Sequence, residues 1–262
     1  MQALALQPLK EPVEPPFEAL AKLPLIVLVG LTGVGKTTAA SALIARHRFD
    51  LLPNRRSIAD DWMIPAMLEE SGEPAPEIRD RLQRFEMTAR YRARFPGGTA
   101  HALGRLMVDT GKAAGPFLFD GLRGFDEVSW ACRHMAESRF ICLDAPALVR
   151  LHRLLGRGET FDRVDLVAGP SDLAASMAEL EGIERVFGVE MIQQICSDPD
   201  LRGLDPQTIL QKVAIIVQER RHYDSAEAAR FLQDSLPARR YLGLDTDELG
   251  PHEVAAAIAE WV

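Results

Sequence analysis

Residues 29–40 read VGLTGVGKTTAA, directly after the apolar run LPLIVLV of residues 23–29. Gly30, Gly35, Lys36 and Thr37 satisfy the pattern G-x-x-x-x-G-K-[ST]. The residues on either side satisfy its structural context. Leu25 to Val29 is short and aliphatic, as a strand buried on both faces should be, and KTTAASALIARH is an Ala-rich helix former. A glycine-rich turn between a strand and a helix lets successive backbone N–H groups point inward, with the positive end of the helix dipole behind them. This arrangement suits phosphate. The cradle predicted from the spacing comprises Gly30, Leu31, Thr32, Gly33, Val34, Gly35, Lys36, Thr37 and Thr38. Lys36 is expected to reach the outer phosphates of ATP, and the Thr37 hydroxyl to hold Mg2+.

Further short apolar runs follow at 49–53 (FDLLP), 117–119 (FLF, then Asp120), 140–143 (FICL, then Asp144) and 241–244 (YLGL, then Asp245), with helical patterns between them. Such alternation predicts an α/β fold, a five-stranded parallel sheet with helices on both faces. The loops after the strands then gather on one rim. Two stretches stand outside the alternation and are expected to be helical insertions over that rim, about 54–115 and about 158–238. Residues 1–23, with prolines at 8, 12, 15 and 16, read as an extended tail or a strap across the surface. The rest, 24–262, reads as one domain carrying the two insertions.

Composition narrows the function. The chain has 262 residues, 47% hydrophobic and 26% charged, and no apolar run approaches membrane-spanning length. A net charge of −8 disfavours general nucleic-acid binding. Cys132, Cys142 and Cys196 are too scattered for a zinc site or a disulfide framework. The N-terminus lacks the basic and apolar regions of a signal peptide, so the expected location is cytoplasmic.

Asp120 closes a buried strand, where a carboxylate can complete a metal site opposite Thr37. The segment around it, GPFLFDGLRGFDEVSWA (115–131), resembles the D-G-F-P-R element of adenylate kinases. It is closer still to a D-G-[IL]-R-x-x-x-E-V element of small nucleotide kinases similar to adenylate and dephospho-coenzyme A kinases, matched by Asp120, Gly121, Arg123, Glu127 and Val128. The resemblance implies a P-loop three-layer sandwich and makes Arg123 a ligand of the acceptor's phosphate. Arg123 lies one place earlier than in adenylate kinases, and the acceptor stays open. LDAPALVRLHRLLGRGETFDR (143–163) resembles the run into the lid of such kinases. It carries Arg150, Arg153 and Arg157 near one helical face, Arg153 and Arg157 being nearest the expected lid. RRYLGLDTDELG (239–250) is similar to their closing strand and loop, so Gly243 to Asp247 are expected beside the base.

The acceptor side is expected in LPNRRSIADDW (52–62). Arg55 and Arg56 can bind an anion; Asp60 or Asp61 can accept a proton from a hydroxyl or cap the next helix. Phosphorylated acceptors need no strong base, whereas hydroxyl acceptors benefit from one. The leading expectation is therefore an ATP-dependent phosphotransferase acting on a small phosphorylated or hydroxyl-bearing acceptor, with Lys36, Asp120, Arg123, Arg153 and Arg157 as its catalytic groups. The alternative is a regulatory or assembly NTPase whose 164–238 region binds a partner protein; the apolar stretch Val213 to Val217 within it is continuous enough to be deeply buried or to face a partner. A polynucleotide-end kinase is a third reading, resting on the six arginines of 79–94.

Overall fold

The computed structural model describes residues 4–72, 81–113, 115–156 and 173–262. Two three-residue strands, β1 (Leu6–Pro8) and β2 (Phe17–Ala19), precede β3 (Leu25–Val29), which is buried along its whole length. The glycine-rich turn then leads into α1 (Lys36–Arg46). Next come β4 (Asp50–Leu51), α2 (Arg55–Ile58), a π-helical turn (Ala59–Met63) and α3 (Ile64–Ser71). After α4 (Arg81–Arg94) and α5 (Gly98–Gly104), the strand β5 (Leu106–Asp109) precedes β6 (Phe117–Leu122), α6 (Phe125–His134), β7 (Ser138–Asp144) and α7 (Ala147–Leu155). A helical run follows: α8 (Leu173–Ala178), α9 (Val189–Ser197), α10 (Pro206–His222) and α11 (Ser225–Ser235). The strand β8 (Tyr241–Asp245) and α12 (Pro251–Trp261) close the chain.

All five expected strands are present, in one parallel sheet ordered β4-β6-β3-β7-β8. The period of two sorts their side chains. Leu25, Val27, Val29, Phe117, Phe119 and Phe140 face a core shared with α5, α6 and α11, while Ile26, Leu28, Leu118, Ile141 and Leu143 face a second core closed by α1 and α12. The result is a three-layer sandwich. Its middle strand, β3, is followed by the glycine turn at the point where the connections diverge to either side, the usual place for a ligand in such sheets.

The segment read as an extended tail or a strap across the surface is extended among its described residues, and it is paired. β1 and β2 lie antiparallel on either side of β5, forming a second, three-stranded sheet. Accordingly the 54–115 insertion is not purely helical, since β5 lies within it. Strands of three and four residues show too little alternation to be read, and their pairing partners stand about a hundred positions apart.

The later helices form a third cluster in which Leu151 and Leu154 of α7 pack with Met177, Phe187, Ile195 and the apolar face of α10. Asp205 caps α10 by accepting from the backbone N–H of Gln207 and Thr208, and Pro206 occupies the first turn. Val213 to Val217 are all buried here. Of the two roles open to that stretch, the interior one is the role seen in the fold.

Candidate functional site

Gly30, Gly33 and Gly35 all take positive φ (144°, 91° and 92°). At two of them a side chain would also collide with its neighbours. A Cβ on Gly30 would stand 2.4 Å from the Leu143 carbonyl oxygen, and one on Gly33 would stand 3.0 Å from the Arg150 Cβ. The turn therefore lies tight against the end of β7 and the first turns of α7. The Lys36 ammonium folds back over the loop, donating to the carbonyls of Gly30 and Leu31 at 2.8 Å each. Burial and the neighbouring Arg123 lower its pKa to about 7, although Glu219 and Asp120 pull the other way.

Asp120 owes its direction to an irregularity in the sheet. Val27 pairs with Phe119 and Val29 with Leu122, so Asp120 and Gly121 together stand opposite Leu28 alone. This is a β-bulge, a device that re-aims a side chain beside a site. It leaves Asp120 half-buried and within electrostatic reach of Lys36. Thr37 and Thr38 are exposed at the start of α1.

Two cavities flank the glycine turn. One, of about 290 Å3, is walled by Gly35, Thr38, Ala39, Arg153, Thr246, Leu249 and Val254. The other, of about 190 Å3, lies at the opposite end of the loop and is walled by Thr32, Arg55, Arg56, Arg84, Phe85, Arg123 and Tyr223. The two cavities thus meet different ends of the loop. Each is part of a ligand's size; together they match a two-substrate site.

The structure sorts the expected acceptor and lid residues between these cavities. Arg55, Arg56 and Arg123 converge on the smaller one. Arg55 makes a two-pronged ion pair with the buried Glu127 (2.6 and 2.8 Å) and also donates to the Gly121 carbonyl and the Tyr223 hydroxyl. Burial opposes the charge on Glu127, yet Arg55, the Thr99 N–H and Arg92 hold its carboxyl below the usual range. Neither Asp60 nor Asp61 caps the helix. Asn54 does so, accepting from the N–H groups of Arg56 and Ser57, and Asp60 faces Arg84 instead, accepting at 2.8 and 3.2 Å. Arg153 belongs to the larger cavity, where it ties α7 to the Gly33 carbonyl and to Thr246. Thr246 falls within the stretch expected beside the base. Arg157 lies outside the described residues.

Sequence reasoning missed Glu219 and Tyr223, both delivered by the end of α10. Glu219 has no exposed surface, and donors from three parts of the chain converge on its carboxylate. Among them are the Thr32 N–H (2.9 Å), the Thr32 hydroxyl, Arg123 (2.6 Å) and Arg150 (2.8 Å). Arg150, set aside in favour of its neighbours, also donates to the Thr32 carbonyl at 2.7 Å. Tyr223 is surrounded by guanidinium groups: Arg55, Arg92 and Arg123 lie 4.9, 5.2 and 5.7 Å from its ring centre.

No family model matches this chain, and no curated protein does. Among solved structures it is similar to a sugar kinase from Janibacter sp. (14% identity over 91% of this chain and 94% of that one, TM-score 0.40). It is also similar to a shikimate kinase from Bacteroides thetaiotaomicron (13% identity, 91% and 97%, TM-score 0.41). A third similarity is to a Thermus thermophilus protein (15% identity, 92% and 99%, TM-score 0.45). The likeness is loose, so the reading of the site rests on its own geometry. Among the described residues no helix is long and apolar enough to cross a membrane.

Proposed function

We propose that the chain is a phosphotransferase that moves the γ-phosphate of ATP to a small, phosphate-bearing acceptor. The observation that carries this reading is the pairing of the glycine turn with a cavity walled by four arginines at one of its ends. The larger cavity, with apolar walls and one guanidinium, suits a purine base. The smaller one suits a compact anion.

The fit to a nucleotide is supported by the backbone: three positive-φ glycines open a cradle of N–H groups ahead of α1, and Lys36 already bends over that cradle. Thr37 and Asp120 are the residues that would hold Mg2+. No cluster of three or more His, Cys, Asp or Glu side chains gathers among the described residues, so the ion would draw its remaining ligands from phosphate oxygens and water, as Mg2+ commonly does. When bound, Mg2+ would neutralise charge on the transferring group. Arg123 and Arg150 would do the same from the protein side, in a site whose donors are fixed beforehand. Arg55 and Arg56 would orient the acceptor, while Arg153 holds the base side.

The orientation of Asp60 bears on the acceptor's chemistry. As a base for a hydroxyl it would have to turn an oxygen to the acceptor, and both are turned to Arg84. A phosphate oxygen is already nucleophilic and needs no such help, so the phosphorylated acceptor is the better fit. On this reading α2 and α4 build the acceptor wall, and the end of α10, through Glu219 and Tyr223, borders the transfer point.

The test is transfer of labelled γ-phosphate from ATP to a panel of nucleoside monophosphates, nucleosides, sugars, coenzyme precursors and oligonucleotide ends, with Lys36→Ala as control. A labelled phosphorylated acceptor that disappears in the control is the expected result. Slow phosphate release alone would overturn the proposal in favour of a regulatory NTPase.

A further inference from the structure

Glu219 is a buried carboxylate resting on a phosphate loop, and the transfer chemistry above makes no use of it. Its donors come from three elements: Thr32 after β3, Arg123 after β6 and Arg150 on α7. A backbone N–H at a glycine turn together with two guanidinium groups is the donor set that recognises phosphate oxygens. A carboxylate accepting from all of them stands where an oxyanion is expected. Other residues could hold arginines apart; few would also take the loop's own N–H.

The two cavities say which phosphate is concerned. Gly35 and Thr38 line the cavity suited to the base, and Thr32 lines the one suited to the acceptor. A nucleotide laid from the first to the second meets Thr32 with its last phosphate. Two anions cannot share those donors in a dry site, because like charges that close repel strongly at low dielectric.

Building on the proposed function, we propose that Glu219 is a positioning residue that contests the terminal-phosphate place on the loop, so that a triphosphate must displace it from Thr32, Arg123 and Arg150 whereas a diphosphate does not. Glu219 thereby sets the preference between ATP and ADP. It also links that choice to α10, whose buried face is packed into the helical cluster.

The test compares the affinities of wild type and Glu219→Gln for ADP and for a non-hydrolysable ATP analogue. The amide keeps the shape and removes the charge. Freed of one charged competitor, the variant should bind the analogue about tenfold more tightly, while its ADP affinity stays within about twofold. A merely structural role would shift both nucleotides alike, and an unchanged ratio would overturn the inference. Should the variant not fold, hydrogen exchange in the wild-type chain gives a second measure. Amides at the end of α10, 216–222, should change their exchange with the analogue and not with ADP; equal traces would overturn the inference as well. A wild-type chain that binds neither nucleotide would sink the proposed function and this inference together, whereas nucleotide binding with an unchanged preference would sink the inference alone.

Discussion

Lys36 carries its charge at a cost to the fold, and its surroundings show why. Its ammonium is removed from water and set beside Arg123, which lowers its pKa from 10.5 to about 7. Between those values the unfolded chain binds the proton that the folded chain gives up, so the charge weakens the fold most at low pH and the burden lifts as pH rises from 7 towards 10. Lys36→Met should therefore stabilise the ligand-free protein at pH 6 by about 1–3 kcal/mol, the desolvation relieved less the two carbonyl hydrogen bonds lost. The advantage should shrink steadily above pH 7. Chemical denaturation at pH 6, 8 and 9.5 reads this directly, and a variant less stable than wild type at pH 6 would refute it. Such a group was legible in the sequence because the glycine turn is local: eight consecutive residues, Gly30 to Thr37, supply its backbone, its cation and its hydroxyl. Asp120 was singled out as the polar residue closing an apolar strand, and Arg123 through the resemblance of the segment around it to nucleotide kinases. Glu219 and Tyr223 were not, because they lie nearly 190 positions from Thr32 and Lys36, and a Glu and a Tyr at a helix end look like any others until α10 is placed.

At the scale of elements, the sheet was readable and the small additions to it were not. β3, β6, β7 and β8 each carry a short apolar run, and in the last three that run meets an aspartate, Asp120, Asp144 or Asp245, at the rim. The pairing of α5 with α6, in contrast, depends on the absence of side chains. The Trp130 ring of α6 lies against Gly97 and Gly104, so close that a Cβ on either would stand 2.4 Å from a ring carbon. Glycine is required there by proximity, since neither residue has a positive φ. Gly104→Ala should push the indole out of place and cost about 1–3 kcal/mol, as overpacked cores do. Adding Trp130→Leu should restore part of the loss by making room. A double-mutant cycle by urea denaturation tests this, and additive effects would show that the two positions do not press on each other. The position of α5 matters because its Thr99 N–H helps hold Glu127, and Glu127 holds Arg55.

Over the whole molecule, the smaller cavity takes its Tyr223 wall from a cluster in which four separate parts of the chain meet. Arg55 arrives on α2, Arg92 on α4 and Arg123 after β6, and Tyr223 at the end of α10 stands among them. Three guanidinium groups so placed repel one another. They are held by the Tyr223 ring face, by its hydroxyl, which accepts from Arg55 at 2.8 Å and Arg92 at 2.9 Å, and by the carboxylates of Glu127 and Glu219. Tyr223→Phe separates these contributions, because it keeps the ring face and removes the hydroxyl alone. The loss of an acceptor for two charged donors should lower stability by about 1–3 kcal/mol. In turnover the effect should fall on the acceptor: its KM should rise about tenfold, with the KM for ATP and kcat little changed, since the ATP side is built by α1, α7 and α12 and does not touch Tyr223. If KM for ATP rose as much as KM for the acceptor, the two cavities would not be the separate halves of one site that the architecture implies, and the assignment of acceptor and base to opposite ends of the glycine turn would have to be reversed or abandoned.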